Sequence, residues 1–392
     1  MFQLVFPQPG MLSSEDLKAM VAAVKQPDMS KVALRDMAEN IRATLNPHPA
    51  GQKQENVPMF NENIVGGTQH KYRETILFFP TEASKTRAGR ATTFTSVGSD
   101  QQFQSKEIEK LKSYISQHPH VKDVLFTGGD PMVMTSKLLR NYISPLLHGR
   151  NTEHLNTIRI GTKSLAYWPY RFLSDPDAKS VLDLFSEVSL AGKHITIQAH
   201  FSHPREIEHP ATQEAMRLIR MTGAQIRCQG PLIKHVNDDT VTWRRMWDLQ
   251  TRMGAVPYYM FVERDTGAKD YFSVPLVEAY KIFSQAYSSI AGTARTVRGP
   301  SMSSHYGKIG VVGVEEIGGE RVIALKFFQA RNPAWTERLF FAKYDDKATW
   351  IDGLRPAFGE TEWFFEREYR DIQARTSAGE GSSGQLFQDA AP

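Results

Sequence analysis

Six short apolar runs separated by helical stretches constrain this chain more than any other feature. The runs occupy 76–79, 124–126, 157–160, 194–200, 225–229 and 256–262. Between them, SKEIEKLKSYISQ, TSKLLRNYISPLL, AKSVLDLFSEVSLAG, PATQEAMRLIRMTG and DTVTWRRMWDLQTRMG each carry an apolar stripe at helical spacing, and three end in a Gly stop signal. Strands that alternate with helices pair in parallel, because a parallel crossover needs a helix-length connection. The expected fold is α/β, a partial (βα)6 TIM-like barrel over 66–275, since six units are fewer than eightfold closure requires. In such sheets ligands lie at the carboxyl ends of the strands, so the residues just after each run are the candidates for chemistry.

The flanks divide on the same criteria. Residues 1–65 read as a helical N-terminal segment: SSEDLKAMVAAVKQ opens on a Ser cap, and DMSKVALRDMAENIRATL repeats its periodicity. Residues 276–375 read as a C-terminal extension. It holds the helix PLVEAYKIFSQAY, a Gly/Ser/Arg-rich loop GTARTVRGPSMSSHYGK, and a hairpin whose strands at 309–314 and 321–328 are joined by EEIGGE. Residues 376–392 have the composition of a disordered tail.

Charge and cysteine count exclude several classes of function. The 47 basic and 43 acidic residues leave a formal charge of +4, too small and scattered for a nucleic-acid or anionic-membrane surface. No apolar run reaches the length of a membrane span, so the expected location is cytoplasmic and the expected partner a small molecule; self-association into a homo-oligomer is left open. The single cysteine, Cys228, excludes an intrachain disulfide and any site that needs several thiolates.

The second run ends in Thr127-Gly128-Gly129-Asp130-Pro131. Paired glycines let backbone amides approach a ligand, and Asp130 can accept from an ammonium; the alternative is a tight turn in which Asp130 caps a helix that starts at Pro131. The fourth run ends in His200, followed by His203, Glu206 and His209, a set that can ligate a metal or simply line a polar loop. Gln229 ends the fifth run with its amide aimed into the barrel mouth, beside Cys228, whose usual role is that of a small core hydrophobe. The sixth run leads into Glu263-Arg264-Asp265, which can hold a zwitterion or pair on the surface. Lys308 can condense with the aldehyde of a cofactor if burial lowers its pKa, or be an ordinary loop lysine.

The segments HKYRETILFFPT, VKDVLFTGGDPMVM, IRIGTKSLAYWPYRFL, QAHFSHPREI, GPLIKHVND and VPYYMFVERDTGAKDYF together resemble the lysine 2,3-aminomutase family of the radical S-adenosylmethionine superfamily. The resemblance covers roughly residues 60 to 330. It implies a barrel of the radical S-adenosylmethionine type, with Gly128, Gly129, Asp130, His200 and Gln229 binding S-adenosylmethionine. It also implies Lys308 as the attachment point of pyridoxal phosphate, Asp265 near the side chain of the substrate, and an amino acid as substrate. The family's three cluster-ligating cysteines fall on Ser84, Ala88 and Ala91, and its basic residues beyond the third on Thr92 and Thr93. Neither alanine nor serine substitutes for thiolate on iron, so the four-iron four-sulfur cluster is expected to be absent. Three readings follow: an enzyme using cluster-independent chemistry, an inactive S-adenosylmethionine-binding regulator, or an aminomutase whose loop is altered by mutation or sequence error.

Overall fold

The computed structural model describes residues 6, 8–45, 56–61, 63–80, 108–148, 151–263 and 268–387. A small antiparallel pair, β1 (Met59–Phe60) and β2 (Asn63–Ile64), precedes one large sheet. That sheet begins with β3 (Thr68–Tyr72), β4 (Thr75–Phe78), β5 (Asp123–Phe126), β6 (Thr157–Thr162), β7 (His194–His200), β8 (Gln225–Leu232) and β9 (Val256–Val262). It continues with β10 (Arg298–Ser303), β11 (Gly307–Ile317), β12 (Glu320–Ala330) and β13 (Leu339–Lys343). Its 11 strands lie in sequence order; β4 to β10 are parallel, and β3 and β11 to β13 add antiparallel margins.

The six expected strands are present nearly at their expected bounds, and β5, β6 and β8 alternate cleanly between two environments. In β6, Ile158 and Ile160 are fully buried under the helices, while Thr157, Arg159 and Gly161 face the other way. The helix Ala178–Leu190 answers with Val181, Leu184, Phe185 and Val188 on its inner stripe, all buried. Thr135 and Asp239 cap the helices that follow them by accepting from Leu138 and Thr242 backbone N–H. The N-terminal helix Ser14–Lys25 starts at the Ser13 cap read from its sequence. The hairpin of β11 and β12 turns on Gly318 and Gly319, both at positive φ.

Two stretches differ from their sequence reading. Part of the Gly/Ser/Arg-rich loop is the strand β10, parallel to β9, with a register shift between Arg298 and Ser301. Gly299 and Pro300 hide it: proline lacks the ladder N–H and glycine the side chain that mark a strand, and both gather at such irregularities. The segment composed like a disordered tail contains the end of the helix Glu366–Ser377 and a helical turn, Ser383–Leu386, packed on β3. A side chain at Gly384 would put its Cβ 2.3 Å from His70 Cδ2, so the glycine that reads as flexibility is what permits the contact. Gln385 fastens the turn by donating to Met59 O (2.6 Å) and accepting from Met59 N (3.1 Å).

This turn helps to close the sheet on itself. Lys71 Nζ on β3 donates to Ser304 O beyond β10, and Lys71 O accepts from Ser383 Oγ at 2.9 Å. Arg331, at the end of β12 and 1 % exposed, donates to Ser383 Oγ (2.7 Å) and to His305 O (2.5 Å). The first and last parts of the sheet thus meet across a lumen. Replacing Arg331 with Met leaves the buried Ser383 hydroxyl and His305 carbonyl short of a donor. The expected loss is about 2–4 kcal/mol of stability in urea unfolding.

Beneath β3 lies a buried aromatic cluster. His70 Nδ1 meets Tyr114 Oη at 2.5 Å and its Nε2 meets Arg73 O at 3.1 Å, while His118 Nδ1 meets Tyr114 O at 2.6 Å. Burial, with smaller contributions from His120 and His118, lowers the His70 pKa to about 3. Below pH 6.5 the unfolded chain takes up a proton that folded His70 refuses, so stability falls with pH. The expected loss is about 2 kcal/mol between pH 6.5 and 5, from roughly 1.4 kcal/mol per unit. Urea unfolding at several pH values should show this slope in the parent chain and a flatter one in His70→Gln.

Candidate functional site

The inward residues of the strands line a cavity of about 220 Å³. Its polar lining comes from every part of the rolled sheet. It includes Lys71 from β3, Arg159 from β6, Gln198 from β7, Gln229 from β8, Lys308 from β11 and Gln329 from β12. Because inward positions recur every second residue, a polar side chain at such a position can only point into this lumen.

Lys308 is therefore an interior residue of β11 and not the loop lysine that local composition indicates. Its Nζ donates to Gln329 Oε1 at 3.2 Å and lies 4.9 Å and 5.6 Å from the ring centroids of Tyr259 and Tyr72. Burial lowers its pKa to about 7, helped by the Arg159 and Arg298 guanidinium groups and opposed by Asp123. Arg159 holds Asp123 with Nη2 at 2.5 Å and Nε at 2.8 Å, and Asp123 also lies 3.4 Å from Thr75 Oγ1. Burial nonetheless moves the Asp123 carboxyl upward, outweighing its Arg159 partner. The lumen thus contains a lysine whose free amine is abundant at neutral pH.

The strand ends carry the second group of expected residues. Gly128 follows β5, exposed and at φ +119°, where a Cβ would meet Phe79 Cδ1 at 3.0 Å. Asp130 behind it adopts the capping alternative. Its carboxylate accepts from Met132 N (3.0 Å), Thr162 Oγ1 (2.7 and 2.8 Å), Lys163 N (2.8 Å), Ser164 Oγ (3.1 Å) and Tyr167 Oη (3.2 Å). These bonds tie the end of β5 to the end of β6 and leave the Gly128-Gly129 backbone as the accessible part of the turn. His200 and Gln229 are register partners on β7 and β8. Burial and then the Lys163 ammonium hold the His200 imidazole neutral, its Nε2 3.1 Å from Ser202 Oγ.

The metal alternative for the fourth strand's loop gives way to capping. His203 accepts from Arg205 N in a capping box completed by Glu206, and His209 accepts from Ala211 N at 3.2 Å. Glu206 also pairs with Lys163 at 3.2 Å. Among the described residues no group of three or more His, Cys, Asp or Glu could hold a metal ion. Cys228 is 2 % exposed on the helix-facing side of β8, and burial pushes its thiol pKa upward. Asp265 and Arg264, and the positions Ser84, Ala88, Ala91, Thr92 and Thr93, lie outside the described residues.

Sequence reasoning missed Arg159, Gln198 and Tyr72. The one available signal was an arginine or glutamine between apolar residues of a short strand, as in TIRIGT and HITIQAH.

No protein-family model matches the chain. A protein of Aquifex aeolicus provisionally named L-lysine 2,3-aminomutase is 28% identical over 288 residues, which is 74% of this chain and 74% of that protein. The L-lysine 2,3-aminomutase of Fusobacterium nucleatum is 26% identical over 59% of this chain and 52% of its own length. The glutamate 2,3-aminomutase of Clostridioides difficile is 24% identical over 50% of this chain and 44% of its own. The chain therefore spans three quarters of the first relative and about half of the other two.

The Lys308 amine is expected to react as its proton leaves near pH 7. Reductive methylation across pH 5 to 10, read at the Lys308 peptide by mass spectrometry, should be half-maximal near pH 7 while exposed lysines follow near 10.5. Arg159→Gln removes a repelling charge and should move the Lys308 midpoint upward.

Proposed function

We propose that this chain, which belongs to the lysine 2,3-aminomutase family of radical S-adenosylmethionine proteins, binds S-adenosylmethionine at its strand ends. In this reading it acts on the amine of an amino acid in the lumen, without the family's iron–sulfur cluster. The observation that carries the reading is Lys308, a half-buried amine whose pKa is lowered to about 7 and which lines a polar lumen together with Gln229.

The strand-end residues fit S-adenosylmethionine. Gly128 and Gly129 offer backbone without side chains, and Gln229 offers an amide at the boundary between strand ends and lumen. The neutral His200 imidazole adds a partner that does not repel a sulfonium. Asp130 acts through these groups as a positioning residue, because its own oxygens are filled by Thr162, Lys163, Ser164 and Tyr167.

Pyridoxal phosphate fits through its aldehyde, which needs a buried, largely neutral amine, and when bound it supplies an electron sink. The chain's own contribution is to keep that amine available. Arg159 and Arg298 disfavour its proton, Asp123 limits how far the pKa falls, Gln329 orients Nζ, and the Tyr72 and Tyr259 rings keep water from it.

The four-iron four-sulfur cluster does not fit. It needs three thiolates, whereas the sequence has one cysteine, whose thiol is buried among helix-facing residues. No step of the proposed chemistry runs through iron. The same lack of thiolates favours a second reading, in which the chain binds S-adenosylmethionine as a signal and does not turn it over.

Calorimetry should detect S-adenosylmethionine binding that weakens about tenfold or more in Gln229→Ala. Anaerobic reconstitution with iron and sulfide should leave the protein without cluster absorbance. Added reductant should then yield no 5′-deoxyadenosine. A pyridoxal phosphate absorbance band should appear in the parent chain and be missing in Lys308→Ala. Formation of 5′-deoxyadenosine would overturn the cluster-free reading, and absence of S-adenosylmethionine binding would overturn the proposal as a whole.

A further inference from the structure

The seam is completed by a short piece of chain that hangs from the end of a helix. Gly379 ends the helix Glu366–Ser377 at φ +83°, with Gly379 N donating to Thr376 O and Glu380 N to Arg375 O, both at 3.1 Å. The chain is fixed to the helix up to that point. Gly381 follows at φ +112°, a conformation that glycine enters and leaves at little steric cost. It is therefore the residue about which the turn Ser383–Leu386 can swing.

Beyond Gly381 the turn is seated by hydrogen bonds to three separate places. Ser383 Oγ donates to Lys71 O (2.9 Å) and accepts from Arg331 Nη1 (2.7 Å), and Gln385 makes its two bonds to the Met59 backbone. Such groups exchange protein partners for water at small net cost. The large apolar side chains here, Leu386 and Phe387, are only partly buried. Gly384 makes the seat fit, lying so close to His70 that a Cβ would stand 2.3 Å from Cδ2. Its φ is outside the left-handed region, so the glycine serves the fit alone.

Behind the seat is the lumen. Lys71 and Ser304, joined across the seam, both line the cavity. One bond crosses directly, from Lys71 Nζ to Ser304 O; a second path runs from Lys71 O through Ser383 Oγ to Arg331, which holds the His305 carbonyl just before β11. Withdrawing Ser383 cuts the second path beside Tyr72, whose ring centroid lies 5.6 Å from Lys308 Nζ.

We propose that the turn Ser383–Leu386 is a hinged latch, seated on β3 and released about Gly381, that opens a side entrance to the lumen between β3 and the segment before β11. The latch works in the same way whichever ligand the lumen takes, so it stands or falls apart from the S-adenosylmethionine reading.

The test uses the full chain and two readouts. In native-state hydrogen exchange, amides of 381–387 should exchange about tenfold or more faster than those of β6 to β8, with little response to low urea. Gly384→Val blocks seating and should speed exchange in 381–387 and 68–72 while leaving β6 to β8 unchanged. The limiting rate of Lys308 reductive methylation at high pH reports access and should rise about tenfold in this variant. The midpoint of the same profile should move up from about 7, because water reaches the amine. Ser383→Ala removes the bridging hydroxyl without a clash and should shift both readouts the same way by less, which keeps the test decisive if the valine variant does not fold. Three results would overturn the proposal: amides of 381–387 exchanging only with global unfolding, Lys308 methylation unchanged in the variants that fold, or exchange speeding evenly through β6 to β8, as a general loss of stability gives.

Discussion

Everything in the lumen depends on the seam that joins β3 to the turn after β10. Lys71 reaches Ser304, Ser383 bridges Lys71 to Arg331, and Arg331 holds the His305 carbonyl, so three distant parts of the chain converge on a few buried polar atoms. A sheet of 11 twisted strands does not by itself enclose anything; closure must come from contacts between its ends. With the seam made, Tyr72 on β3 comes within 5.6 Å of Lys308 on β11, and the amine is shielded from water. Without it Lys308 would face solvent and keep the pKa of an ordinary lysine. The seam is thus a cause of the site's chemistry as well as of the fold's stability.

The polar residues of the lumen form one electrostatic system. Arg159 ion-pairs with Asp123 and at the same time disfavours the proton on Lys308, while Asp123 favours it. Substitution of Arg159 therefore changes the titration of both Asp123 and Lys308, and the effects of substitutions among the three should not add. At the strand ends Asp130 works differently. Its charge is neutralised by local donors from β6 and its surroundings, which fixes the shape of the Gly128-Gly129 turn instead of supplying a free carboxylate.

The legible part of the fold was the part governed by periodicity. The βα alternation located six parallel strands and the helices between them because each element is amphipathic on its own scale, two residues for strands and about 3.6 for helices. β10 was illegible because Gly299 and Pro300 erase the strand signal, and the Ser383–Leu386 turn because its partner, His70, lies more than three hundred residues away. The position of Lys308 was illegible for a related reason: its inward orientation follows from β10 extending the sheet, which no window around residue 308 records. Gly128 and Gly129 follow β5 and His200 ends β7, whereas Gln229, Arg159 and Gln198 sit within strands, β8 running on to Leu232.

The strand ends and the lumen are positioned by different parts of the fold. Lys308, Arg159 and Gln198 are held by strands and by the seam between the two margins of the sheet. The lumen's geometry comes from inward alternation, and its amine chemistry from burial and neighbouring charge. Gln198 lines that lumen with neither amide atom hydrogen-bonded. An unsatisfied buried group weakens the fold unless a bound molecule or water completes it, and Asn56 Oδ1 in the same lining is unpaired as well.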